Sequence, residues 1–131
     1  MANLTPEQLA ELKQRLEQRR IQLQREIRET LIHSDEERYI DLAGRVHDEG
    51  EQSVADLLSD FKIAIIDRQL SEHREVEAAL KRMTMGSYGY CVDCGTEIGY
   101  ERLVAYPMAK RDLTCQEMFE KTYAQGGSPT L

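Results

Sequence analysis

Two short segments near the C-terminus, Cys91-Val92-Asp93-Cys94 and Asp112-Leu113-Thr114-Cys115, bring four metal-type donors into two pairs, the members of each pair three positions apart. A tetrahedral zinc site asks for this arrangement. The tight turn of the first pair aims two thiolates at one ion, and the second pair closes the coordination from a separate stretch of chain. The spacing predicts a zinc-ribbon-like module with Cys91, Cys94, Asp112 and Cys115 as ligands and zinc as the cofactor. Asp112 stands where a further thiolate would complete the set. Carboxylate is an accepted zinc donor, yet a harder one, so the metal is expected to be held less tightly and to be more open to chelators and oxidation. The competing reading is a metal-free knob packed by Tyr88, Tyr90, Ile98, Leu103 and Tyr106. Met118 offers a different register, but a neutral thioether suits zinc poorly. A dithiol switch at Cys91 and Cys94 lacks the βαβ setting of a redox enzyme, and Asp93 disfavours a thiolate.

The remaining composition narrows the partner. With 131 residues, 31% of them charged, only 6% aromatic and no Trp, the chain can bury a modest core and is expected to hold its shape with helices and a metal rather than a thick interior. A net charge of −7 argues against sequence-independent binding to phosphate backbones, which needs a positive field, and points to a protein partner. No apolar run reaches the length of a membrane span, and Met-Ala-Asn-Leu-Thr-Pro lacks the features of a signal peptide, so a cytoplasmic location and no membrane contact are expected. Three clustered cysteines do not make a secreted disulfide framework.

Upstream of the knuckle, residues 5 to about 33 read as one helix. Thr5 caps it, Pro6 suits its first position and Gln8 completes a Thr-x-x-Gln capping box. Leu9, Leu12, Leu16, Leu23, Ile27 and Leu31 form its apolar seam, with a gap at Arg19 and Arg20. The interleaved Arg15, Arg19, Arg20, Arg25 and Arg28 with Glu11, Glu17, Glu26 and Glu29 read as a salt-bridged exposed face rather than a nucleic-acid surface. A second helix is expected from about Val54 to Met85, with Val54, Leu58, Phe61, Ile65, Ile66, Leu70, Leu80 and Met83 as seam residues. Helices of about thirty residues extend roughly 45 Å, so the pair predicts a long antiparallel hairpin, a rod on a small knob. Ser34 with Glu37, and Ser53 with Asp56, resemble capping pairs in the acidic connection between the helices. A short helix is expected from about Gln116 to Ala124, and His33, His47 and His73 are expected on the solvated surface.

Several linked motifs then resemble the DksA/TraR family of bacterial transcription regulators. They are Gly86-Ser87-Tyr88-Gly89-Tyr90-Cys91-Val92-Asp93-Cys94-Gly95, Glu97-Ile98-Gly99-Tyr100-Glu101-Arg102-Leu103, Ala105-Tyr106-Pro107-Met108-Ala109-Lys110-Arg111 and Cys115-Gln116-Glu117, following Glu77-Ala78-Ala79-Leu80. The resemblance covers roughly residues 40 to 123. The family pattern has cysteines at the positions of Cys91, Cys94, Asp112 and Cys115, and only Asp112 departs. The resemblance implies a protein that binds RNA polymerase rather than DNA and inserts its coiled-coil hairpin through the secondary channel toward the active centre. It also implies a shift in the behaviour of open promoter complexes, often alongside the nucleotide alarmone of the stringent response. The family's tip pattern Asp-x-x-Asp-x-Ala falls on Asp48-Glu49-Gly50-Glu51-Gln52-Ser53, which makes Asp48, Glu51 and Ser53 the partner-binding residues. Asp48 is kept, Glu51 preserves charge, and Ser53 replaces the Ala.

Together these readings predict a mainly α protein: a coiled-coil hairpin over 1–85 with an acidic tip near 34–53, a zinc-finger-like module over 86–125 with a short C-terminal helix, and a disordered tail over 126–131. It is expected to be a monomer without catalytic activity, since no nucleophile, base and oxyanion-stabilising set occurs together. The rival is a zinc-ribbon nucleic-acid-binding module whose coiled coil serves only to dimerise it.

Overall fold

In the computed structural model the described residues are 4–33, 44 and 66–125. The expected tip residues Asp48, Glu51 and Ser53, the capping pairs Ser34 with Glu37 and Ser53 with Asp56, His47, the first part of the second helix and the 126–131 tail lie outside them.

The first helix, α1, spans Pro6–Ile32. Its start is dictated locally: the Thr5 hydroxyl accepts from the Gln8 backbone N–H at 3.0 Å, and the Gln8 side-chain oxygen accepts from the Thr5 N–H at 3.0 Å. The two bonds satisfy donors that the first helical turn leaves open, as the capping box predicts. Leu12, Leu16, Leu23, Ile27 and Leu31 are buried, so the seam read from the sequence is the packed face. Leu9 is partly covered.

The second helix, α2, spans Asp67–Met85. Thr30 of α1 meets Gln69 at 3.2 Å, and Gln24 meets His73 at 3.4 Å, so rising numbers on one helix meet falling numbers on the other. The helices are therefore antiparallel partners. The buried residues of α2 are Leu70, His73, Val76 and Ala79, preceded by buried Ile66. Leu80 and Met83 lie at the margin of this core.

One expectation fails here. His73 is not on the solvated surface: it is fully buried. The seven-residue interval between Leu16 and Leu23 leaves α1 without a buried apolar side chain for more than a turn, since Ile21 faces outward, and His73 packs beside Gln24 and near Arg20 at this part of the seam. His33 is exposed, as expected.

α2 stops where a glycine permits the turn. Gly86 has φ 81°, its N–H donates to the Met83 carbonyl at 3.3 Å, and the Ser87 N–H donates to the Arg82 carbonyl at 3.0 Å. That is the Schellman pattern, in which a left-handed residue lets two otherwise open carbonyls be satisfied. The chain then enters the knob, where Tyr88 is fully buried and its hydroxyl donates to the Pro107 carbonyl at 2.8 Å.

Two short helices complete the knob. α3, Tyr100–Ala105, buries Leu103; six residues are too few to display a helical period, which is why the sequence did not announce it. α4, Leu113–Gln125, begins three positions ahead of the expected Gln116 because Asp112 acts as its cap, accepting from the Cys115 N–H through Oδ1 at 2.7 Å. The ribbon-like character of the knob is confined to one antiparallel bridge between Tyr90 and Glu97. Of the side chains expected to pack it, Tyr88, Ile98 and Leu103 are buried, Tyr90 is half-buried, and Tyr106 is partly exposed with its hydroxyl donating to Glu75 of α2 at 2.8 Å. Leu12, Leu16, Val76, Ala79, Tyr88, Ile98 and Leu103 belong to one apolar cluster, so the base of the hairpin and the knob share a core.

Candidate metal centre

The first knuckle is shaped by its backbone. The Cys91 N–H donates to the Thr96 carbonyl at 2.7 Å, and the Gly95 N–H donates back to the Cys91 carbonyl at 3.0 Å. Gly95 takes φ 77°, a left-handed conformation that side chains other than glycine rarely adopt. The Val92 N–H donates to the Lys110 carbonyl at 2.8 Å, and Arg111 donates to Asp93 at 2.7 Å. These bonds bring the segment that carries Asp112 against the first knuckle. Arg111 also lies over the Phe119 ring at 4.0 Å, which ties α4 to the same corner.

The result is convergence. The ligand atoms of Cys91, Cys94, Asp112 and Cys115 all lie within 4.8 Å of one another. Zinc–sulfur bonds of about 2.3 Å place tetrahedral ligands roughly 3.8 Å apart, so the four donors need only a small contraction to close on one ion. Cys91 is buried, Asp112 and Cys115 are half-buried, and Cys94 is exposed; all three cysteines are free thiols. Met118, the residue of the alternative register, is largely exposed.

The protonation pattern has a physical cause. Burial pushes the Cys91 thiol up, but backbone hydrogen bonds at Cys94, Asp112 and Asp93 outweigh it and bring the group down to about 7. Asp112 is held down to about 2, first by the Cys115 N–H and then by the Cys94 and Thr96 side chains. Burial raises the Cys115 thiol to about 12, assisted by Cys94, Cys91 and Asp112 beside it. Negative charge can thus form at one corner and is resisted at another. A divalent cation at the centre reverses that resistance, since a coordinating thiol loses its proton outright. The donor set fits zinc.

Sequence reasoning missed one polar member of this centre. Thr96 Oγ1 lies 2.9 Å from Asp112 Oδ2 and 2.9 Å from Cys94 Sγ. A hydroxyl two positions beyond a Cys-x-x-Cys pair is too common a pattern to stand out without the fold.

Similarity to known proteins bears on ancestry. Residues 86–121 match the family described as the prokaryotic dksA/traR C4-type zinc finger, whose four-cysteine set has Asp112 at one corner here. The RNA polymerase-binding transcription factor DksA of Caulobacter vibrioides (strain NA1000 / CB15N) is 34% identical over 116 residues, covering 87% of this chain and 77% of that protein. The protein of the same name from Escherichia coli (strain K12) is 32% identical over 113 residues, covering 86% of this chain and 72% of that one. Among solved structures, transcription factor DksA2 from Pseudomonas aeruginosa superposes with a TM-score of 0.60 at 25% identity, over 91% of this chain and 88% of that chain. A helical hairpin that shares its core with a knuckle of converging donors, and identity that extends through both parts, lead to one conclusion: the chain belongs to the DksA/TraR family.

Proposed function

We propose that this protein is a non-enzymatic, cytoplasmic regulator that binds RNA polymerase directly, entering the secondary channel with the end of its helical hairpin. The observation that carries this reading is the 34% identity, through hairpin and knob alike, to a relative named for binding RNA polymerase. The antiparallel pairing of α1 and α2 supports it, because a hairpin rooted in a shared core is stiff enough to deliver its far end into a cavity. In this reading residues 1–85 are the probe, 86–125 the base and 126–131 a tail, and the tip residues Asp48, Glu51 and Ser53 act on the polymerase. The carboxylates of Asp48 and Glu51 suit the basic side chains and magnesium of a catalytic centre that handles nucleotides.

Zinc held by Cys91, Cys94, Asp112 and Cys115 supplies a structural cross-link and no chemistry of its own. The chain's own residues do the rest: Tyr88 and Leu103 pack the knob onto the hairpin, and Arg111 fixes the second knuckle through Asp93. A net charge of −7 supports docking on protein rather than on DNA, and a hairpin that covers its own seam supports a monomer.

The test is capture of core polymerase by the purified full-length protein without DNA, at two salt concentrations, with zinc content measured on the same preparation. Wild type is expected to retain polymerase. Asp48→Asn is expected to bind but to lose most of its effect on transcription in vitro. Failure of the wild type to retain polymerase refutes the reading, and retention only when DNA is present supports the nucleic-acid-binding rival instead.

A further inference from the structure

We propose that Thr96 is a positioning residue of the metal centre: its hydroxyl aims the Asp112 carboxylate so that this group serves as the fourth ligand beside three thiolates. The proposal rests on reading Cys91, Cys94, Asp112 and Cys115 as a zinc site. It concerns a residue outside the donor pattern.

The two oxygens of Asp112 have separate duties. Oδ1 accepts from the Cys115 N–H at 2.7 Å, the bond of a helix N-cap, and the Gln116 N–H reaches the Asp112 carbonyl at 2.9 Å. One oxygen is thereby committed to starting α4. Oδ2 is the oxygen turned to the first knuckle, 3.1 Å from Cys94 Sγ and 2.9 Å from Thr96 Oγ1. A carboxylate so divided has one oxygen to offer a metal, and the orientation of that oxygen depends on what bonds it.

Of the two side-chain donors to Oδ2, only one survives metal binding. The Cys94 thiol donates while it keeps its proton, and ligation to zinc requires the thiolate. The Thr96 hydroxyl has no such conflict. Its position is also rigid: the Thr96 carbonyl is pinned by the Cys91 N–H at 2.7 Å, and its β-branched side chain has few rotamers. Because Thr96 touches Cys94 as well as Asp112, one hydroxyl links a ligand of the first pair to a ligand of the second. Four anionic donors outweigh the charge of a divalent ion, so a neutral hydrogen-bond donor on one of them stabilises the loaded state.

The experiment uses full-length protein, made metal-free under reducing conditions. Cobalt(II) is titrated in while its d–d absorption is followed, and zinc(II) affinity is measured against a chromophoric chelator. Wild type, Thr96→Val, Thr96→Ser and Asp112→Asn are compared, with far-UV circular dichroism of each metal-free form. Thr96→Val keeps the side chain's shape and removes the donor; it is expected to bind zinc about 10- to 100-fold more weakly and to shift the cobalt spectrum. Thr96→Ser restores the donor and is expected to match wild type. Asp112→Asn is expected to lose at least as much affinity as Thr96→Val. If Thr96→Val loses its helical signal, Thr96→Ala is read in its place. A valine variant with wild-type affinity and spectrum overturns the role of Thr96 and leaves the zinc site standing. Equal weakening in Thr96→Ser also overturns it. A wild type that takes up neither metal removes both, while polymerase capture remains a separate measurement.

Discussion

Along α1, five buried apolar side chains recur at spacings of four or seven residues and pack against a neighbouring helix; in the knob, burial falls on Tyr88, Cys91, Ile98, Leu103 and Ala109, scattered over turns and one short helix. The hairpin is held by a repeated use of one force, the removal of apolar surface from water, at about 1.5–3 kcal/mol for each fully buried Leu, Ile or Val. The knob is held by hydrogen bonds between segments: Tyr88 to Pro107, Val92 to Lys110, Ile98 to Gly89 and Arg102 to Arg111. Where a region is too small to bury much, directional bonds and converging donors have to make up the difference. The contrast also explains the place of the metal centre, which lies in the part of the molecule with the thinner core.

The sharpest way to break this contrast is to hollow the seam where the two regions join. Leu16 is 2% exposed and belongs to the cluster that also contains Tyr88. Leu16→Ala is expected to cost about 2–5 kcal/mol. Thermal unfolding measures the loss, and amide exchange in the knob should accelerate with it. Unchanged exchange there would mean the knob stands without the hairpin.

A smaller effect is expected from one directional bond. Tyr88→Phe keeps the ring and leaves the Pro107 carbonyl without its donor, at a cost of about 1–3 kcal/mol. Chemical denaturation of the metal-free protein reads this directly, and a neutral result would shift the weight of the knob from its hydrogen bonds to its packing.

Third comes the ionic contact across the hairpin. Arg19 grips Glu72 with two nitrogens, one at 2.7 Å, and also reaches Glu26 at 3.3 Å. Both partners in the cross-helix pair keep about a third of their side-chain surface in water, 33% and 30%. Arg19→Met is therefore expected to cost at most about 1 kcal/mol, and less in high salt. A large, salt-insensitive loss would show that the hairpin depends on charge more than on its leucines.

The smallest effect concerns pH. Burial lowers the His73 pKa, Glu77 pulls it up, and Arg20 lowers it further, with the net downward. As pH falls below the unfolded value of about 6.5, the unfolded chain takes up a proton that the folded chain refuses. Stability is thus full above that pH, declines as pH approaches the lowered folded-state value, and levels off beneath it. His73→Leu is expected to flatten this decline between pH 7 and the acid side, measured by denaturant midpoints; an unaltered slope would assign the pH dependence to another group.

Much of the hairpin was legible in the order of residues, and the parts that were not have physical reasons. The Thr5-Pro6-Gln8 start and the leucine seam could be read directly, because capping and the 3.6-residue period are local properties. His73 was misjudged for the same reason that the seam was legible. A polar residue in a helical pattern looks solvated until the partner helix puts it at the gap left by Leu16 and Leu23. In the knob, α3 is silent in the sequence because fewer than two turns display no period, and α4 starts ahead of the expected Gln116 because Asp112 is a cap as well as a metal donor.

The sequence alone determined the donor types, their pairing and the length of the apolar stripe on α1, since each depends on spacing along one element. Only the tertiary structure decided that Asp112 divides its oxygens between a helix and the first knuckle, that Thr96 joins it there, and that His73 is dry. Each of these depends on segments distant in the chain meeting within hydrogen-bonding range, and a linear pattern carries no distances.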